Sequence, residues 1–349
     1  MKAKNFDRIQ SQSQFGGVPW HHREPGPIER SHGRGWVNLT LRVLGSAFIC
    51  GLLAMSAPNV AAAPVVEPLL IVYGPALGVP FSGLAGIAID ARRSEVLISN
   101  TGQHRIEIYS MKGRLHARFT HKVLTRDGRR LAGLPSGLLI DPAGNTLVVD
   151  QLAGYVDVLN FRGREIARLE LGKPEAGIPS ASIVAGVTVA PNGDIFVASG
   201  GDAARIYRFD ARYRPQGWWD AAAEGSPLHG IRGLSALPDG RLVIVCSAGK
   251  PCVRIFSAAG EFVNGFGAHE VGPGNFSNPS GVAVTADGRI WVSDEIRQSV
   301  QVFDDAGSFL GTVEGAGIFD YPSAIATDGR EFLAVTERVG NRFSLLKIR

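Results

Sequence analysis

Six recurrences of one strand pattern constrain this chain more than any other feature of its sequence. The unit is an apolar alternation, a tight turn, a second alternation, a loop and a third alternation, repeated after residue 80. Its first element reads GIAID at Gly86, GLLID at Gly137, GVTVA at Gly186, GLSAL at Gly233, GVAVT at Gly281 and AIAT at Ala324. Units of 40–50 residues that contain only strand patterns are the blades of a β-propeller. The turns DPAGN (141–145), APNGD (190–194), LPDGR (237–241), TADGR (285–289) and TDGR (327–330) carry the glycines that tight hairpins require. Second strands follow, such as TLVVD (146–150) and IWVSD (290–294), then third strands such as YVDVL (155–159) and SVQVF (299–303). The third strands alternate with the period of two that half-buried strands show.

The fold class these units predict is all-β: a six-bladed propeller of four-stranded antiparallel blades, with repeats starting near 84, 135, 184, 231, 279 and 322. Fourth strands are legible in most units, for example EFVNGFG (261–267) and SFLGTVEG (308–315), but the sixth unit has no room for one before Arg349. The segment LLIVYG (69–74) has the pattern of that missing strand. The expectation is that it completes blade six, closing the ring and removing exposed sheet edges. Residues 63–349 then form a single domain.

Charge belongs to the part that precedes this domain. The chain has 36 Lys/Arg against 32 Asp/Glu, and residues 1–62 hold seven of the former and three of the latter. The remainder carries 29 of each (36 − 7 and 32 − 3), so it has no global electrostatic reason to bind nucleic acid or anionic lipid. Residues 1–38 read as a polar, disordered leader. Residues 39–62 read as an export signal: Arg42, the 13-residue run VLGSAFICGLLAM and the small-residue stretch SAPNVAAAP, with cleavage after Ala62. The protein is therefore expected outside the cytoplasm, periplasmic or extracellular, as a monomer. An uncleaved signal is the one route to a membrane, and it is shorter than the ~20 residues a spanning helix needs.

The segments IWVSDEIRQSVQVFDDAGSFLGTV and VLISNTGQHRIEIYSMKGRL, with the openings LPSGLLID and NPSGVAVT, resemble NHL repeats. The resemblance covers residues 81–349. It implies a propeller, and a family that includes RNA readers, protein-interaction modules and lyases of the streptogramin and peptide-amidating kinds; fold does not choose among them. In such repeats an Asp at the end of strand two faces an Arg at the start of strand three. Here the pairs read Asn100/Arg105, Asp150/Tyr155, Ser199/Arg205, Cys246/Cys252, Asp294/Ser299 and Thr336/Arg342, so the ionic clip is expected to be lost from every blade.

In blade four both clip positions are cysteine, and in an exported protein the expectation is a disulfide between Cys246 and Cys252. The connections between blades and the loops between second and third strands share one face of such a propeller. That face carries the ligand candidates His104, Arg105, His121, Arg129, Arg130, His229, Arg232 and His269. Arg129 and Arg130 lie in the loop THKVLTRDGRRLAG (120–133). Of the adjacent Trp218 and Trp219, one is expected to pack inward and one outward. No nucleophile elbow, phosphate loop or dinucleotide motif occurs, and no cofactor is predicted.

The sequence thus leans away from an enzyme and toward a binding or scaffolding module for a protein, peptide or glycan, without nucleic acid. The alternative is a metal-dependent lyase or hydrolase, with zinc or calcium held by histidines at the channel mouth, as histidines hold zinc in the amidating-lyase relatives.

Overall fold

The computed structural model describes residues 64–75, 79–125, 128–172, 181, 183–201, 204–223, 226–314 and 318–349. The leader and signal expected at 1–62 lie outside the described residues. Six four-stranded antiparallel sheets form a six-bladed propeller. The innermost strands start at Leu84, Pro135, Val184, Ile231, Pro279 and Pro322. Five blades run in sequence order from the innermost strand outward. The sixth consists of Pro322–Thr327, Phe332–Glu337 and Arg342–Ile348, and its outermost strand is Val66–Val72 from the other end of the domain. Val66 pairs with Ile348 and Val72 with Phe343, with a bulge between Pro68 and Leu70. The closing strand therefore begins three residues earlier than the pattern at 69–74 suggests.

The turns explain themselves through their glycines. Gly144, Gly193, Gly240, Gly288 and Gly329 have φ of 85°, 87°, 89°, 87° and 87°, the left-handed region that a side chain disfavours. A second set of glycines serves packing. A Cβ on Gly86 would lie 2.8 Å from the Cα of Gly137, and one on Gly281 would lie 2.8 Å from the Ser323 carbonyl oxygen. These glycines sit on innermost strands, where neighbouring blades converge on the channel.

There is no single core. Buried side chains gather into six clusters, each shared by two adjacent blades, including one that joins blade six to blade one through Phe343, Tyr109 and Phe81. Each blade is thus covered on both faces, which is why the second strands TLVVD, IFVAS, LVIVC and IWVSD are buried at every position. Double coverage also corrects the expectation for the tryptophans. Trp218 packs on the cluster shared with blade two and Trp219 on the one shared with blade four, so neither stands outward as a platform.

The expected Cys246–Cys252 bridge is not formed; both cysteines are buried free thiols. They are neighbours in the backbone, with the Cys246 amide donating to the Cys252 carbonyl at 2.9 Å. Their side chains part, however: Cys246 joins Ile244 and Phe256 toward blade three, and Cys252 joins Val245 and Val253 toward blade five.

Candidate functional site at the channel mouth

The first residues of the innermost strands and the loops after the second strands surround one end of the central channel. They enclose a mouth of ≈ 530 Å³ lined by Thr101, Gln151, Ser136, Arg232, Ser280, Ser323 and Arg338, among others. Below it the channel is walled at one level by Ile87, Leu138, Val187, Leu234, Val282 and Ile325, one side chain from each blade. The opposite mouth, at the tight turns, is lined by Pro142, Pro191 and Pro238 together with Asp90, Arg92 and Asp141.

Most polar groups at the loop-side rim are already engaged. Thr101 Oγ1 donates to the Pro135 carbonyl at 2.6 Å, Ser280 Oγ to that of Pro322 at 2.8 Å and Ser323 Oγ to that of Thr336 at 3.2 Å. The first two stitch one blade to the next, and among the described residues none of the three hydroxyls bonds to a His, Asp or Glu side chain. Arg338 pairs with Glu295 at 3.1 Å. Arg232 is exposed on the wall of the mouth and makes no ion pair among the described residues. It is the rim group with charge to spare for a ligand.

Of the residues singled out in the sequence, Arg232 alone lines this mouth. His104 has left-handed backbone and its Nδ1 lies 2.8 Å from the Gly133 carbonyl. Arg105 donates to Gln103 at 3.3 Å. The stretch 120–133 is not a plain loop: Lys122–Leu124 and Arg130–Ala132 pair as a small hairpin, with Arg130 3.6 Å from Glu165 and Arg129 exposed beside it. His229 and His269 are exposed on separate connections, before blades four and five.

His121 is the largest departure, because it is buried rather than presented on the ligand face. Its Nε2 lies 3.5 Å from Asp150 and 3.4 Å from Asp157. It thus stands against the strand-two Asp of blade two, while Tyr155 takes the position that the repeat pattern gives to arginine. Burial holds His121 below the usual imidazole range and lifts Asp157 to about 6, against the pull of Arg168, which donates to it at 3.2 Å. No three His, Cys, Asp or Glu side chains among the described residues are arranged to hold a metal. The four candidate histidines do not fit a shared zinc or calcium site.

The clip positions also differ from the expectation. In blade six the register pairs Glu337, not Thr336, with Arg342, and Arg342 Nε donates to Glu337 at 2.7 Å in a buried ion pair. The clip therefore survives there. Glu337 also accepts the Asp320 amide at 2.6 Å, as Asp294 accepts those of Ser277 at 2.6 Å and Asn278 at 3.1 Å, and Asn100 that of Ser82 at 3.0 Å. The end of the second strand thus fastens the incoming connection and fixes the rim. Arg338, Gln151 and the rim hydroxyls carry no motif that would have marked them in the sequence.

Comparison with known proteins agrees with this architecture. The NHL repeat family model matches residues 276–303. The mouse (Mus musculus) NHL repeat-containing protein 3 is 35% identical over 82 residues, 23% of this chain and 24% of that protein. A Caenorhabditis elegans protein described as "Probable peptidyl-alpha-hydroxyglycine alpha-amidating lyase" is 30% identical over 173 residues, 47% of this chain and 45% of that protein. The chain thus matches less than half the length of each of these two curated relatives. Among solved structures, a gluconolactonase from Xanthomonas campestris superposes with a TM-score of 0.57 at 17% identity, covering 77% of this chain and 86% of that one. At that identity the likeness speaks to the fold alone.

Proposed function

This chain belongs to the NHL-repeat β-propellers, and from that premise we propose that it is a binding module whose loop-side channel mouth takes the carboxylate of a protein, peptide or glycan. The observation that carries the reading is Arg232: an exposed guanidinium on the wall of a ≈ 530 Å³ mouth that makes no ion pair among the described residues. Arginine suits carboxylates because its planar fork offers parallel N–H donors. The sequence at 39–62 supports export, so the ligand is sought outside the cytoplasm.

The test is to probe immobilised pentapeptides and oligosaccharides, each with and without a carboxylate, with the full chain and with Arg232→Glu. Retained probes are expected to carry a carboxylate and to lose at least tenfold in affinity on the charge reversal. Equal retention by both proteins would remove the mouth from consideration.

The likeness to the nematode lyase favours a second reading, a lyase or hydrolase acting at the same mouth. Its metal-dependent form gains no support from His104, His121, His229 and His269, which stand apart. Elemental analysis of the purified protein separates the two readings: stoichiometric zinc or calcium that disappears with His229 and His269 would favour the enzyme.

A further inference from the structure

We propose that blade four holds a small monovalent anion, such as formate or a halide, against Arg254, beneath the loop that joins its second and third strands. Arg254 lies on the third strand, Val253–Phe256, paired across the sheet with Ile244 and facing blade three with Cys246 and Phe256. It is only 7% exposed, yet its Nε and Nη1 have no hydrogen-bond partner, and it makes no ion pair among the described residues. A guanidinium removed from water and left unpaired is strongly unfavourable, because burial takes away the solvation of a charge that cannot be neutralised by losing a proton.

Sister blades show what is missing. Blade two has Asp150 at the end of its second strand and Asp157 holding Arg168, blade five has Asp294 near Arg297, and blade six has Glu337 holding Arg342. Blade four has Cys246 at that strand end and, at the third-strand position that Asp157 takes in blade two, Arg254, so it has a buried arginine without a carboxylate beside it. Its thiol is no substitute, because burial outweighs the nearby guanidinium and lifts the Cys246 pKa to about 11, leaving it neutral. Gly249 in the covering loop would bring a Cβ within 3.0 Å of the Arg254 Nη2, so a side chain there would crowd the guanidinium.

The test uses the full chain melted in sodium formate against sodium gluconate at matched ionic strength, since gluconate carries the same charge but is too bulky. Formate is expected to raise the melting temperature saturably, by about 3 °C, and the rise is expected to vanish in Arg254→Met. In Cys246→Asp, where the protein supplies its own carboxylate, the response to formate should also vanish; this variant decides the matter where Arg254→Met does not fold. Crystals soaked in bromide should show an anomalous peak in contact with the guanidinium. An equal formate response in wild type and Cys246→Asp, no response in wild type, or a bromide map without that peak would each overturn the site.

Discussion

At the scale of single residues, blade four shows how a substitution at one repeated position changes the chemistry of its surroundings. Where other blades end their second strand in Asp150 or Asp294, this one ends in Cys246, and Cys252 follows across the hairpin. Both thiols are fully buried, and burial lifts each to about 11 from an ordinary value of 9.0. The sign follows from linkage. The folded state keeps these protons to higher pH than the unfolded state does, so the thiols oppose folding only as pH rises from about 9 toward 11. At pH 8 a rise of two units cuts the thiolate fraction, the nucleophilic form, by about 100-fold. Alkylation of the native propeller at pH 8 is therefore expected to be slow at both cysteines. After denaturation without reductant, both should react, and peptide mass mapping of Cys246 and Cys252 checks this. A pair that stays unreactive until a reductant is added would show a bridge instead of free thiols.

At the scale of the strand, the glycines of the first strands divide into those that bear on a neighbouring backbone and those that do not. Gly86 faces the Cα of Gly137 and the Ser136 carbonyl, with neither atom free to swing aside, whereas the nearest atom to a Cβ on Gly186 is Leu234 Cβ at an ordinary 3.4 Å. Gly86→Ala is expected to cost about 1–3 kcal/mol through forced separation of blades one and two. Gly186→Ala should be neutral or stabilising by a few tenths of a kcal/mol. Urea unfolding of the two variants, followed by circular dichroism, makes the comparison. Such elements were largely legible in the sequence, because turn glycines and strand alternation are local signals. The starts of the innermost strands at Leu84, Pro135, Val184, Ile231, Pro279 and Pro322 fall where the repeats place them. What was not legible depends on neighbours distant in the chain. Burial on both faces of TLVVD or IWVSD comes from adjacent blades, the Glu337–Arg342 clip from a one-residue register difference, and the position of His121 from a hairpin that folds it against Asp150 and Asp157. The site suffered most, since loops carry no period: of eight ligand-face candidates only Arg232 reaches the mouth.

At the scale of the whole molecule, the ring depends on the strand that arrives from its far end in sequence. Val66–Val72 does more than cover the edge of Arg342–Ile348. Val66 packs on the cluster between blades five and six, while Leu70 and Val72 pack on the one between blades six and one. Removing the strand would thus loosen two of six interblade clusters and bare a row of unpaired backbone groups on an apolar strand, the edge that invites aggregation. The Glu67–Arg349 ion pair at 2.7 Å is exposed and contributes little beside this apolar packing. Deletion of residues 66–72 is accordingly expected to abolish soluble folding, because a propeller that cannot close leaves its last blade without a fourth strand. Deletion of residues 1–62 is expected to leave the melting temperature within about 1 °C of the parent, since cleavage after Ala62 would leave the closing strand intact. Soluble yield and differential scanning calorimetry of the two deletions decide the point. If the protein lacking 66–72 stayed soluble and melted like the parent, the ring would not depend on this strand for its closure.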